Sequence, residues 1–142
     1  MKISTKGRYA LRIMFYLAIH NNGNYIALRE ISEHENISIK YMEQITAVLS
    51  KFGLLSSVRG PSGGYKLSRN PDKYTVGEII FVTEGDSPFV EPAGESASDS
   101  DRIMNDVIWE PLQKHLEDFL KGISLEDLVN KYNSDSSLMY MI

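Results

Sequence analysis

Ser38, Lys40, Tyr41, Glu43, Gln44 and Ala47 alternate between polar and apolar character along one short stretch of the chain. Set on the first turns of a helix, such groups suit the reading of base edges. A glutamine pairs with adenine and a carboxylate accepts from cytosine. Tyr41 is ambiguous: its ring suits the core and its hydroxyl suits a phosphate. A solvated helix face carries similar residues, so that reading stands beside the first. Some fifteen residues later, Arg59-Gly60-Pro61-Ser62-Gly63-Gly64 holds three glycines and a proline, enough freedom for a tight projecting loop. A guanidinium on such a loop suits a narrow, electronegative minor groove, and a plain hairpin turn is the alternative. Glycine-rich loops also cradle nucleotide phosphates, but there a helix follows the loop, whereas a strand follows here.

These groups need elements to hold them. Ser4 and Thr5 can cap a first helix that runs to about His20, where Asn21-Asn22-Gly23-Asn24 stops it. Being apolar nearly all round, it should be central to the fold. Tyr25 to Ala27 reads as an extended connection, and Leu28 to Glu35 as a second helix with Leu28 and Ile31 facing inward. After a turn at Asn36-Ile37, Ser38 caps a third helix over 39–52, whose Tyr41, Ile45, Val48, Leu49 and Phe52 recur at spacings of three and four. Gly53 ends it. Leu54 to Val58 and Tyr65 to Leu67 then read as the strands of a hairpin. The fold class expected is mainly α with a small β wing: a winged helix-turn-helix followed by a long dimerisation helix.

The overall charge of −4 conceals a strong asymmetry. Residues 1–75 carry 11 Lys and Arg against 5 Asp and Glu, while residues 76–142 carry 4 against 14. A basic half can neutralise phosphates, and an acidic half turns the remainder away from them. There is no cysteine, which excludes disulfides, thiolate metal sites and catalytic thiols from the chain's own chemistry. The longest apolar run, Tyr9 to Ile19, is interrupted by Arg12 and falls short of a membrane span, so a cytoplasmic location is expected and no membrane association. Carboxylates are plentiful but form no catalytic constellation, and the expectation is that the chain is not an enzyme.

The opening Lys2-Ile3-Ser4-Thr5-Lys6-Gly7-Arg8-Tyr9-Ala10-Leu11, then Ile37-Ser38 with Tyr41-Met42-Glu43-Gln44, then Val58 to Tyr65, resemble the winged-helix regulators typified by IscR, NsrR and CymR. The likeness continues through Thr75-Val76-Gly77-Glu78-Ile79-Ile80, Trp109 with Leu112, and Ser124 to Leu128. It implies a homodimer that binds a double-stranded, palindromic DNA operator and regulates transcription, probing the major groove with a helix and the adjacent minor groove with the wing. Carried over by position, Ser38, Lys40, Tyr41, Glu43 and Gln44 face bases or nearby phosphates. Arg59 and Gly60 enter the minor groove, Lys6, Arg8 and Tyr9 meet the backbone, and Ser62 and Gly63 belong to the DNA-binding set.

Within residues 76–142, Thr75 and Glu78 make a capping box for a connecting helix over 76–85. Residues 86–100, rich in Ser, Glu, Asp and Pro, read as a flexible loop. A longer helix follows over 101–121 with an apolar stripe of Ile103, Val107, Leu112, Leu116, Phe119 and Leu120, which needs either a second subunit or a partner within the chain. Pro111 should kink or divide it. Ser124 caps a last short helix, Leu125 to about Tyr132. Cluster-binding relatives carry cysteines in the 86–100 region. None is present here, and His20, His34 and His115 match no metal spacing, so no iron-sulfur cofactor and no metal site is expected. In this the chain resembles the cysteine-free repressors of cysteine metabolism in that family, which act with cysteine synthase. The apolar end Tyr140-Met141-Ile142 suits capture by such a partner enzyme, or packing on the chain's own dimer. A winged-helix module that binds a metabolic enzyme without binding DNA is the alternative function, separable by the salt dependence of DNA binding.

Overall fold

The computed structural model describes the backbone of residues 3–85 and 88–141, and side chains up to residue 136. Helix α1 (Thr5–Ile19) is capped by Ser4 and runs through the middle of the core, where Ala10, Ile13, Met14 and Leu17 are almost wholly buried. Their spacing is that of one helical stripe. Helix α2 (Leu28–Glu35) buries Ile31 and half-buries Leu28, and ends at Asn36, whose left-handed φ of 55° suits asparagine. The Ser32 hydroxyl closes the turn by donating to the Ile37 carbonyl at 2.6 Å.

Helix α3 (Ile39–Lys51) starts at Ser38, whose hydroxyl accepts from the Tyr41 N–H at 3.2 Å. Ile37 before the cap and Met42 four residues after it are both buried, a hydrophobic staple that sets the angle at which the chain enters the helix. The buried face is Met42, Ile45, Thr46 and Leu49. Phe52, expected in that stripe, is 55% exposed: it caps the helix instead of continuing it, and so leaves the helical period. Gly53, at φ 79°, turns the chain out.

Strands β1 (Leu55–Val58) and β2 (Gly64–Leu67) pair antiparallel, with Leu55 opposite Leu67 and Val58 opposite Gly64. The extended segment at Ile26 joins them through two 2.8 Å backbone bonds with Tyr65. A Cβ on Gly64 would lie 2.2 Å from the Ile26 carbonyl oxygen, so this approach requires glycine.

The core is not confined to residues 1–75, the stretch that reads from sequence as the winged helix-turn-helix domain. Helix α4 (Val76–Glu84), expected only to connect, buries Ile79 and Ile80, and helix α7 (Leu125–Met141) buries Leu125 at its start and packs Leu128 and Val129 on the same cluster. Thr75 caps α4, but the capping box is half made, because the Glu78 carboxylate turns to Arg69 at 2.9 Å. Ser124 and Asp127 cap α7 reciprocally. That helix continues to Met141 instead of stopping near Tyr132, for no Gly or Pro interrupts 123–141 and Lys131 pairs with Asp135 one turn on.

Between α4 and the long helix, the described residues of the expected flexible loop are tied down. The Val90 N–H donates to Gln113 at 2.9 Å and the Ala93 N–H to Asn105 at 3.1 Å. The long helix begins at Asp99, capped by Ser98, as α5 (Asp99–Met104), then a wide π-helical turn (Asn105–Trp109), then α6 (Glu110–Lys121). The long helix is thus divided just ahead of Pro111, which stands in the first turn of α6. The widened turn absorbs the missing N–H, with the Glu110 N–H reaching back five residues to Asn105.

Candidate nucleic-acid interface

The first turn of α1, the first two turns of α3 and the hairpin loop carry the residues singled out in the sequence. Tyr9 of α1 and Tyr41 of α3 meet edge to face, their rings 5.6 Å apart, and the Arg12 guanidinium sits 5.3 Å from the Tyr9 ring centre. Arg12 is itself held by Glu35 of α2. The ambiguity of Tyr41 is thus resolved in part: its ring is half-buried against Tyr9 and locks α3 to α1. Ser38, Lys40, Glu43, Gln44 and Ala47 are all exposed, whereas Met42, Ile45 and Thr46 behind them are buried. Arg8 is exposed and Lys6 half-buried.

At the hairpin tip Arg59, Gly60 and Ser62 are exposed. Gly60 adopts φ 111° and its carbonyl accepts from the Gly63 N–H at 2.9 Å. A Cβ on Gly63 would lie 2.3 Å from the Val58 carbonyl oxygen, so that glycine closes the loop and owes its identity to the turn. Lys6, Arg8, Lys40 and Arg59, on α1, α3 and the hairpin loop, form no ion pair among the described residues, nor do Arg29, Lys51, Lys66 and Lys121 elsewhere, while Arg12, Arg69, Arg102, Lys73, Lys114 and Lys131 each have a carboxylate. Cations left unpaired on three elements can neutralise phosphates without first breaking an internal bond.

Three supports escaped the sequence reading. The wholly buried Tyr74 donates its hydroxyl to the Leu54 carbonyl at 2.7 Å and accepts from the N–H groups of Ser68 and Arg69 at 2.9 and 3.0 Å, tying the hairpin base to the end of α3. Arg69 lies over the Tyr74 ring, and its bond to Glu78 holds its proton more firmly than usual. Glu84, at the end of α4, clamps the start of α1, where one carboxylate oxygen accepts from the Ser4 N–H at 2.9 Å, the Ser4 hydroxyl at 2.6 Å and the Gly7 N–H at 3.1 Å. A glycine in the first turn of an apolar helix was the one available signal for that contact. Farther off, Tyr16 is buried between His20 and His34 and donates to Glu30 at 2.7 Å; burial first, and that bond second, push its phenol up to about 12.

The long-helix stripe divides. Ile103, Val107, Leu112 and Phe119 are exposed, with Met104, Ile108 and Trp109 beside them, whereas Leu116 and Leu120 are half-buried near α4, where the backbone of Leu120 and Lys121 approaches Gly77. Tyr140 and Met141 continue the backbone of α7. Their side chains, and Ile142 entirely, lie outside the described residues.

A model of the Rrf2 family, described as iron-dependent transcriptional regulators, matches residues 3–131. The transcriptional regulator IscR of Photorhabdus laumondii is 39% identical over 131 residues, covering 92% of this chain and 80% of that protein. Among solved structures, CymR (YrzC), the global cysteine regulator of B. subtilis, superposes with a TM-score of 0.79 at 37% identity, over 92% of this chain and 98% of that one. T. potens IscR superposes with a TM-score of 0.74 at 39% identity, over 93% and 88%. The family description raises the question of iron. The cleft between 88–98 and the long helix is lined by Glu91, Ser96, Ala97, Asp101 and Trp109, among others, and the loop is latched by amide side chains of Asn105 and Gln113. No thiolate exists in the chain, and no group of three metal-ligating side chains occurs among the described residues, so these residues do not fit an iron-sulfur cluster. No helix of the described residues is long and apolar enough to cross a membrane.

Proposed function

Because the chain belongs to the Rrf2 family of transcriptional regulators, we propose that it acts as a homodimeric repressor that reads palindromic DNA operators and controls genes of cysteine and sulfur metabolism. The observation that carries the DNA-reading assignment is the set of unpaired cations, Lys6, Arg8, Lys40 and Arg59, beside the exposed Ser38, Glu43 and Gln44 at the head of a rigidly held α3. Ser38, Lys40, Glu43 and Gln44 serve the major groove, Arg59, Gly60 and Ser62 the minor groove, and Lys6 and Arg8 the phosphates, with Tyr9 and Tyr41 fixing the angle between their helices. Dimerisation runs through the exposed stripe of Ile103, Val107, Leu112 and Phe119, large apolar side chains gathered on one helix and left open to solvent. The cysteine role rests on likeness to the B. subtilis cysteine regulator and on a chain without thiolates. It implies control by a signal other than a bound cluster.

The test is a gel-shift series on a palindromic duplex against rising salt. Arg59→Ala should weaken binding and reduce the salt slope by about one, while Gln44→Ala should cost about 1–3 kcal/mol and relax the preference at one base pair per half-site. If neither variant alters binding, the helix and wing assignments fall. Val107→Asp with Phe119→Asp should yield monomers in sedimentation equilibrium, and a persistent dimer would remove the stripe as the interface. Mapping of bound sites in the genome decides the regulated genes.

A further inference from the structure

We infer that Ile39 reads a thymine methyl group, making it a specificity residue of the proposed interface that its polar neighbours do not cover. The inference deepens the operator-reading assignment and rests on it.

Ile39 is the first residue of α3 and is 39% exposed, one of few large apolar side chains left open outside the long helix. Neither contact that fixes the helix start uses it. The staple at this helix start is made by Ile37 and Met42, which are 3% and 0% exposed, and the helix cap is made by Ser38. Ile39 belongs neither to the buried cluster nor to the half-buried residues packed against it. A polar residue would serve equally at a solvated first position, and isoleucine is a mediocre helix former. Its sequence neighbours Ser38 and Lys40, and Glu43 one turn on, are exposed. It therefore stands at the edge of the same face, at the end of the helix that enters deepest into a major groove. The bulkiest apolar group that the major groove offers is the C5 methyl of thymine, set among hydrogen-bonding donors and acceptors. A branched, stiff aliphatic side chain left partly open at this position suits that group best.

The experiment first selects duplexes from a randomised pool with the wild-type protein, then replaces each thymine of the enriched half-site in turn by deoxyuridine, which lacks only the methyl. Wild-type affinity should fall about fourfold at one thymine per half-site, the weight of one buried methyl. Ile39→Ala should lose a similar factor on the thymine duplex and be indifferent to deoxyuridine at that position, and Ile39→Val should restore most of the sensitivity. Alanine at an exposed first helical position keeps the fold, which the melting temperature of the variant checks. An enriched sequence bound by wild type with no deoxyuridine effect, or with the same effect in Ile39→Ala, overturns this inference and leaves operator reading intact. No enriched sequence at all overturns operator reading and this inference with it.

Discussion

Gly7→Ala should destabilise the protein, although alanine is the better helix former, and the sign should reverse once Glu84 is removed. A Cβ at position 7 would lie 2.3 Å from the Glu84 carboxylate oxygen, which must swing away and abandon three hydrogen bonds to Ser4 and Gly7. Charge-assisted bonds reach roughly 1.5–3 kcal/mol when protected, but this half-exposed carboxylate shares them with water, so about 0.5–1 kcal/mol each is the appropriate scale. The carboxylate also complements the positive end of α1, for about 0.3–1 kcal/mol more. Against a total near 2–4 kcal/mol stands a gain of about 0.5–1 kcal/mol from replacing a helical glycine by alanine. The net expectation is a loss of about 1–3 kcal/mol in wild type and a gain of about 0.5–1 kcal/mol in a Glu84→Ala background, a coupling of about 2–4 kcal/mol. Urea denaturation of the four proteins, followed by circular dichroism, measures the cycle. The same sign in both backgrounds, or a coupling under about 0.5 kcal/mol, would refute the clamp. Lys6 and Arg8 share that first turn, so DNA affinity should follow the same pattern.

Tyr74→Phe keeps the buried ring and removes only its hydroxyl, leaving the Leu54 carbonyl and the N–H groups of Ser68 and Arg69 without that partner. It should cost about 2–4 kcal/mol in urea denaturation, and a change within about 0.5 kcal/mol would mean that water replaces the hydroxyl. Tyr16, its phenol raised to about 12 from an ordinary value of 10.0, favours the folded state fully below pH 10. That contribution should disappear as pH rises from 10 through 12. Tyr16→Phe should flatten the stability profile across this window, and an unchanged alkaline fall would assign it to other groups.

Much of the proposed interface could be read from local patterns, because its parts are local. Ser38 as a cap, Gly53 as a terminator, the glycine-rich turn at 59–64 and the α3 face all follow from interactions within a few residues. Phe52 was misassigned to the core because periodicity says which side a residue takes only while the helix lasts. The π turn before Pro111 escaped because two backbones accommodate a missing N–H, and the sequence states only that it is missing. The extent of α7 escaped because weak propensities over 133–141 are outweighed by contacts of the preceding turns, among them Phe15 with Tyr132.

What the sequence determined by itself is the set of elements and the chemistry they carry: three helices and a hairpin, a basic first half, unreactive chemistry without thiols, and polar groups at the head of α3. Tertiary structure alone decided which of those groups stay free. Arg12 looks as suited to phosphate as Arg8 does, yet Arg12 is engaged by Glu35. Glu84 and Tyr74, which look unremarkable in sequence, set the start of α1 and the base of the wing across separations of 80 and 20 residues. The physical reason is range: caps and turns are specified by neighbours in sequence, while a hydrogen bond between distant residues exists only after the core has brought them together.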